Sequence, residues 1–114
     1  MSEPPILDTA VLDDLIDHIG AGAVRTIVEI FIGECHELTA AMSASADPRQ
    51  ARRAAHSLKS SAGQLGGAAL AEAALAVEIA AESNSPDLPR RITALKECAA
   101  VTEPALMARL AGRE

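Results

Sequence analysis

The sequence predicts an all-α protein, and three observations support this prediction. Hydrophobic residues make up 49% of the 114 residues, and many of them are alanine, which has the strongest intrinsic preference for the helix. Aromatic residues, which strands favour, make up only 1%. Apolar residues recur at spacings of three and four along several segments, as they do on one face of a helix. We therefore expect an antiparallel four-helix bundle with a short additional N-terminal helix lying across one end.

The first two predicted helices are separated by a glycine. Asp8 has the side chain of a helix N-cap, so the short N-terminal helix is expected over about residues 8–19, ending at Gly20. The second helix is predicted over residues 21–44, and it opens a bundle that extends over about residues 21–110. Its single apolar stripe consists of Val24, Val28, Phe31, Cys35, Leu38 and Met42.

The third and fourth helices are bounded by clear start and stop signals. Asp47 is a predicted N-cap, and Pro48 occupies the first helical position, where its missing N–H costs nothing. Gly66 and Gly67 are expected to end the third helix, because glycine tolerates the left-handed backbone at a helix C-terminus. The fourth helix is predicted over residues 68–82. The inward residues are Ala51, Ala55, Leu58, Ala62 and Leu65 on the third helix, and Leu70, Ala74, Val77 and Ala81 on the fourth.

Prolines shape the last part of the chain. Residues 83–89 are predicted to form a loop before the last helix. Pro104 is expected to kink that helix or to split it near Thr102 or Glu103, because proline lacks the N–H group and collides with the preceding turn. Since the length matches one compact domain, we predict a single domain over residues 1–114. The inward stripe of the last helix is Ile92, Leu95, Ala99, Thr102 and Leu106.

Net charge and apolar segments argue against two classes of function. A formal net charge of −6 and a pI near 5.0 argue against a general nucleic-acid binder, which needs a basic surface. Residues 1–8 lack the basic start and apolar run of a signal peptide. The longest apolar stretch, residues 68–81, contains Glu72 and Glu78, which are costly inside a bilayer. We therefore expect a cytoplasmic protein that does not bind nucleic acid or membrane, and its self-contained core favours a monomer.

The two cysteines show no pattern of a metal or disulfide site. Cys35 and Cys98 lie far apart in sequence, without the close pairing of zinc ligands. Each falls among apolar helical positions, so both are expected to be buried thiols. Candidate functional residues must therefore be sought elsewhere in the chain.

A face without bulky apolar side chains runs along the third helix, opposite its core stripe. His56 lies in the middle of this face and is expected to be exposed, with cations on either side and small residues in the following turns of the same face. Another protein could therefore approach its ring closely, as is required of a nucleophile that enters a partner's recessed active site. The face consists of Arg52, Arg53, His56, Lys59, Ser60 and Gly63.

The run from His56 to Gly66 resembles the signature of the histidine-containing phosphotransfer (HPt) domain family. That signature reads His-x-Leu-Lys-Gly-Ser-Ser-x-x-Leu-Gly, and the run here reads His-Ser-Leu-Lys-Ser-Ser-Ala-Gly-Gln-Leu-Gly. The clear departure is Ser60, where the family usually has glycine. Serine is still small, so we expect modest steric tightening and no loss of function.

The resemblance implies roles for three side chains. It implies that His56 is the phosphoryl acceptor, which attacks through Nε2 and therefore carries its proton on Nδ1. Glu78 occupies the position where relatives place a Glu or Gln that accepts from Nδ1 and orients the ring. Lys59, one turn after His56, would offset the phosphoryl charge.

The resemblance also implies the partners and the absence of a cofactor. The partner would be a response-regulator receiver domain, a hybrid sensor histidine kinase, or both. Mg²⁺ is expected only in the acidic pocket of the receiver, and the chain itself would need no cofactor. It would be a phosphocarrier without kinase activity of its own, giving or taking the phosphoryl group of a receiver aspartate. The residues expected to dock the partner are Arg52, Arg53, Ser60, Gly63 and Gln64.

Two other classes of function stay open at this point. A helical bundle could bind a metal ion or haem through His18, His36, His56 or Met42, which would require these side chains to converge inward. Alternatively, the bundle could be an adaptor that docks a partner through the His56 face without accepting phosphate. Retention of both His56 and Lys59 argues against such a degenerate relative.

Overall fold

The computed structural model describes residues 3–44 and 47–113, and all of the regular secondary structure in these residues is α-helical. This confirms the prediction of an all-α fold. No helix in these two ranges is both long and apolar enough to cross a membrane. In chain order the helices are α1 (Thr9–Ile19), α2 (Ala21–Ala44), α3 (Pro48–Gln64), α4 (Ala68–Glu82) and α5 (Leu88–Arg113).

Side-chain caps fix the starts of two helices at the predicted residues. The Asp8 carboxylate accepts a hydrogen bond from the backbone N–H of Ala10 at 3.2 Å. The Asp47 carboxylate accepts one from the N–H of Arg49 at 3.0 Å, and Pro48 is the first residue of α3. Each bond satisfies an N–H group that has no partner within its helix. The sequence therefore determines where α3, the helix that carries His56, begins.

The turn between α3 and α4 depends on Gly66. Its φ of +82° lies in the left-handed region, and the N–H of Gly67 donates to the carbonyl of Ala62 at 2.8 Å, which closes α3 in a Schellman motif. The Gly66 carbonyl accepts from the N–H of Asp8 at 2.6 Å. A Cβ atom at Gly66 would lie 2.5 Å from the Asp8 carbonyl oxygen. The turn and the start of α1 are therefore packed backbone against backbone.

The last helix differs from its prediction at two prolines. It begins at Leu88, so Pro89 lies in its first turn, where the missing N–H has no helical partner to lose. It continues through Pro104 to Arg113, so of the two predicted outcomes the split near Thr102 or Glu103 does not occur, and the kink stays a prediction. The buried side chains of Leu106 and Leu110 follow the proline, and each stabilises the fold by about 1.5–3 kcal/mol. The burial of Leu106 and Leu110 together offsets the roughly 3 kcal/mol that a proline inside a helix costs.

The core consists of the predicted stripes, with a few corrections. Leu38 and Ile92 are only partly buried. Of the two cysteines, Cys35 is buried as predicted, whereas Cys98 is only partly buried. Leu12 and Ile16 of α1 are buried without having been predicted. The other predicted core positions are all buried: Val24, Val28, Phe31, Met42, Ala51, Ala55, Leu58, Ala62, Leu65, Leu70, Ala74, Val77, Ala81, Leu95, Ala99, Thr102 and Leu106.

Helices α3 and α4 share the most extensive packing in the fold. Both helices bury alanines, such as Ala55 and Ala74, and small side chains leave room for two helices to pack closely. Their antiparallel register is shown by two contacts, Arg52 to Glu82 at 3.7 Å and His56 to Glu78 at 2.8 Å. This register brings the exposed face of α3 beside one edge of α4.

Ion pairs hold α1 beside the end of α5, and the sequence analysis did not predict them. The Arg109 guanidinium donates to both oxygens of Asp13, one of them at 3.0 Å. Arg113 contacts Asp13 at 3.2 Å and also pairs with Asp17. The equal sequence offset of the pairs 13–109 and 17–113 shows that α1 runs alongside the last turns of α5. The prediction that α1 lies across one end of the bundle is therefore corrected, because α1 runs along the last turns of α5.

We expect the Asp13→Asn variant to lose stability near neutral pH and to resemble the wild type in acid. The hydrogen bond from Arg109 lowers the pKa of the Asp13 carboxyl, and desolvation opposes that effect. A carboxyl whose pKa is lower in the folded state stabilises the fold above its unfolded pKa of about 3.9, and this stabilisation is lost as pH falls through the folded-state pKa.

The measurement is thermal unfolding by circular dichroism between about pH 7 and about pH 2, where the difference of a few degrees should disappear. Glu29→Gln, at an exposed position of α2, serves as the control. A difference between Asp13→Asn and wild type that is unchanged across this range would contradict the ion-pair explanation.

Candidate functional site

The centre of the site is the imidazole of His56, which stands on α3. Its side chain is 62% exposed, because the face opposite the core stripe of α3 points outward. The Nδ1 atom lies 2.8 Å from Oε2 of Glu78 on α4. One ring nitrogen is thus held by a neighbouring helix, while the ring itself remains accessible to another protein.

Glu78 holds the ring and is itself held by Lys59. The glutamate is only 9% exposed, and its Oε1 accepts a hydrogen bond from Nζ of Lys59 at 2.7 Å. The hydrogen bond from Lys59 is the main cause that lowers the pKa of Glu78; desolvation opposes it, and the contact with His56 adds to it. Glu78 is therefore an ionised carboxylate near neutral pH.

This charge state determines the tautomer of His56. An ionised carboxylate can only accept hydrogen bonds, so the proton between Nδ1 and Oε2 must belong to Nδ1. In a neutral ring the lone pair is then on Nε2, the nitrogen that Glu78 does not contact. The arrangement presents a nucleophilic nitrogen in a defined orientation.

The face around His56 is open, as the sequence predicted. Gly63 has so much free space that an added Cβ atom would meet nothing within 4 Å. The guanidinium of Arg52 lies 3.7 Å from Glu82 and is otherwise directed to the surface. The five predicted docking residues are all exposed: Arg52, Arg53, Ser60, Gly63 and Gln64.

An apolar patch on α2 adjoins this face, and the sequence analysis missed it. Ile27 and Ile30 are exposed, Ile30 by 57%. With Ser61, Gln64 and other residues they line a depression of about 220 Å³ between α2 and α3. The signal in the sequence was an isoleucine pair outside the apolar stripe of α2, with the spacing of one helix face. The exposed surface around His56 therefore continues from α3 onto α2.

The side chains considered for a metal or haem site do not converge. Met42 is buried, whereas His18 contacts the carbonyl of Asp14 at 2.7 Å on the surface of α1. His36 lies 2.9 Å from the carboxylate of Glu103, between α2 and α5. Within residues 3–44 and 47–113, no three His, Cys, Asp or Glu side chains are grouped so as to hold a metal ion.

The Hpt domain family matches residues 26–104, which is more than half of the chain. The chain belongs to this family, and its members are the histidine phosphotransfer proteins of phosphorelays, phosphocarriers more than enzymes. No curated protein matches the chain. Among solved structures, it is similar to the crystal structure of histidine-containing phosphotransfer protein B (HptB) from Pseudomonas aeruginosa PAO1, with a TM-score of 0.86 and 21% identity. The match covers 93% of this chain and 95% of that chain, so the two proteins share a fold.

The run from His56 to Gly66 departs from the family signature at a second position besides Ser60. Ala62 stands at the position of the second serine in the pattern. Ala62 is buried, and its Cβ faces the turn at Gly67. The exposed surface around His56 is therefore not altered by this departure, whereas Ser60 lies on that surface.

We expect the Lys59→Ala variant to accept a phosphoryl group more slowly without losing helicity. It removes both the positive charge near the acceptor ring and one of the two bonds that hold Glu78. A hydrogen bond to a charged group contributes about 1.5–3 kcal/mol, so the rate should fall roughly 10- to 100-fold. Single-turnover transfer kinetics and circular dichroism measure the two effects. Lys96→Ala, which removes an exposed lysine of α5, is the control, and an equal slowing by both variants would contradict this role for Lys59.

Proposed function

We propose that the chain carries a phosphoryl group on Nε2 of His56, to or from the aspartate of a receiver domain. The observation that carries this proposal is the contact between Nδ1 and the Glu78 carboxylate at 2.8 Å, on a ring that is 62% exposed. Membership of the Hpt domain family supports the same conclusion.

The geometry accounts for each part of the transfer. The Nε2 lone pair attacks the phosphorus of a phosphoaspartate, a P–N bond forms, and the P–O bond to the aspartate breaks, with its electron pair leaving on the carboxylate. The ring gains positive charge in this step. The proton remains on Nδ1, and the nearby Glu78 carboxylate stabilises the charge. The reverse step returns the phosphoryl group to an aspartate.

Lys59 has two tasks in this proposal. In the free protein its ammonium group keeps Glu78 ionised and in place, 2.7 Å from Oε1. Its side chain is still 31% exposed, so a flexible lysine in this position can also reach the oxygens of an incoming phosphoryl group. Mg²⁺ would be held by the receiver domain, and the chain would need no cofactor of its own.

The proposed partner surface combines the exposed face of α3 with the patch on α2. Arg52 and Arg53 would face the acidic rim of a receiver pocket, and Ile30 would supply apolar contact. The partner is a receiver domain, a hybrid sensor histidine kinase, or both, and the chain would have no kinase activity of its own. A single domain over residues 1–114, a monomeric state and a cytoplasmic location complete the proposal.

Incubation of the chain with a phosphorylated receiver domain tests the proposal. Transfer to a histidine gives a label on the chain that is labile in acid and stable in alkali, because a P–N bond is hydrolysed through its protonated form. A panel of receivers from the same source should include one that labels the chain rapidly. If the chain binds a receiver but no receiver or kinase in the panel labels it, the adaptor alternative is correct.

We expect Gly63→Leu to block docking of the receiver. The position is exposed and has no atom within 4 Å of an added Cβ, so the variant folds, but leucine projects into the approach surface about two turns from His56. Transfer at low receiver concentration should be at least about tenfold slower, the equivalent of 1.4 kcal/mol. Gly112→Leu, also open around its Cβ, is the matched control. Wild-type transfer by Gly63→Leu would show that the receiver approaches from another side.

A further inference from the structure

A long groove runs between α4 and α5. It has a volume of about 690 Å³, and its floor is built of small side chains, including Ala69, Ala73, Ala76 and Ala94. A second depression continues it along the same helix pair as far as Ile79, and Ala76 lines both. From residue 69 to residue 79, α4 extends for about 15 Å, so the groove accommodates about three turns of another helix.

Large apolar side chains stand exposed along this groove. Val101 is 51% exposed at one end, and Ile79 is 55% exposed at the other. Ile6 also lines it, since the N-terminal segment is tied to α4 by the N–H of Ala69, which donates to the carbonyl of Pro5 at 3.0 Å. Single exposed apolar residues need no explanation, but an apolar groove bordered by polar groups marks an interaction site.

The border of the groove is acidic. Glu3, Glu72 and Glu97 line it, against one cation, Arg91. In the part of the chain that the structure describes, none of these four side chains forms an ion pair or a side-chain hydrogen bond. The three carboxylates are thus available to a cationic partner. They also oppose a second copy of the chain, since a symmetric dimer through this groove would bring like charges together.

The groove lies away from the phosphoryl site. Successive residues of a helix are rotated by about 100°, which puts Glu78 roughly 140° around α4 from Ala73 and roughly 180° from Ala69. None of the residues that line the groove is Glu78, His56 or a residue of the docking surface. A ligand in the groove therefore leaves the His56 face free.

We infer that the groove between α4 and α5 binds an amphipathic α-helix of a partner protein, with leucine-like side chains toward the alanine floor and lysine or arginine along its edges. This inference is independent of phosphotransfer at His56. It predicts a partner that stays bound while a receiver domain visits the opposite side of α4.

Cys98 provides a direct readout, because it is partly exposed and lines the groove. The other thiol, Cys35, is buried, and this burial is the main reason why its pKa is raised to about 11. Reaction of the native protein with a thiol reagent therefore reports Cys98. A ligand that occupies the groove should slow this reaction, whereas a ligand on the His56 face should not.

The probe is a peptide of about 18 residues, long enough to be helical, with leucine at spacings of three and four and lysine elsewhere. It should bind and slow the modification of Cys98 at least about tenfold. A peptide with glutamate in place of every lysine should do neither. Protection by both peptides, or binding of the lysine peptide without protection of Cys98, would overturn the inference.

Variants locate the binding surface. The double variant Ile79→Ser/Val101→Ser should bind the lysine peptide about tenfold more weakly or worse, and Glu72→Gln/Glu97→Gln should also weaken binding. Ile19→Ser, at an exposed isoleucine of α1, is the matched control. Equal weakening by Ile19→Ser would refute the groove as the site. Protection of the Cys98 thiol in the absence of peptide, through dimerisation of the chain, would also refute it. Receiver-dependent labelling of His56 should be unaffected by the bound peptide, so the two proposals fail separately.

Discussion

The His56→Gln variant is expected to accept no phosphoryl group and to keep a folded helical bundle. Glutamine has no nucleophilic nitrogen, so no P–N bond can form at this position. The side chain is 62% exposed, so little packing is lost, and the amide can still donate a hydrogen bond to Glu78. Labelling by a phosphorylated receiver domain and the circular dichroism spectrum measure the two expectations.

The other two histidines supply matched controls for this prediction. His18→Gln and His36→Gln remove exposed rings that lie on α1 and α2 and contact Asp14 and Glu103 instead of Glu78. Both variants should be labelled at the wild-type rate. Acid-labile label on His56→Gln, or its loss from His36→Gln, would assign the acceptor to a different residue.

The Gly66→Ala variant is expected to lose much of the stability of the fold. The residue has a φ of +82°, and a Cβ atom would lie 2.5 Å from the carbonyl oxygen of Asp8 and 3.3 Å from Cβ of Val11. The backbone conformation alone costs about 1–2 kcal/mol with a side chain, and the collision is with backbone, which cannot turn away. We expect a total loss of roughly 2–4 kcal/mol in the free energy of unfolding.

Chemical denaturation of Gly66→Ala measures this loss, and Gly63→Ala is the control. Gly63 lies within α3 with open space around it, so alanine there should raise stability by up to about 1 kcal/mol. A Gly66→Ala variant as stable as wild type would show that the contact between Asp8 and the α3–α4 turn is looser than the structure indicates. The phosphotransfer rates of both variants, measured under conditions in which they are folded, show whether a change in stability also changes function.

The sequence predicted helix boundaries best where a capping residue or a glycine determines them locally. Asp8, Asp47 and Gly66 act on backbone groups within a few residues of themselves, so their effect can be predicted without knowing the fold. Pro104 is different, because its local preference to break the helix is outweighed by the burial of Leu106 and Leu110 against distant helices. That balance depends on tertiary packing, which a single helix does not contain.

In the candidate site, too, the features that depend on local sequence could be predicted, and those that depend on tertiary packing could not. The exposed face around His56 follows from helix periodicity, and the resemblance pointed to Glu78. The bond from Lys59 to Glu78 could not be predicted, because it depends on the register between α3 and α4 to within one residue. Nor could the pairing of Asp13 with Arg109, which joins residues 96 positions apart. The partial exposure of Cys98 likewise depends on the width of the groove between α4 and α5.

Under the proposed function, the carboxylate that Glu78 shares between His56 and Lys59 has a consequence for the phosphorylated form of the protein. Before loading, the carboxylate of Glu78 is hydrogen-bonded to both Lys59 and His56, so its negative charge already has a positive partner in Lys59. In the proposed transfer a dianionic group joins Nε2, the ring carries positive charge beside Glu78, and the flexible side chain of Lys59 could turn from Glu78 toward the phosphoryl oxygens. The phosphorylated form can then be accommodated by the movement of one side chain, and the loaded and empty forms would present nearly the same helical surface to successive partners.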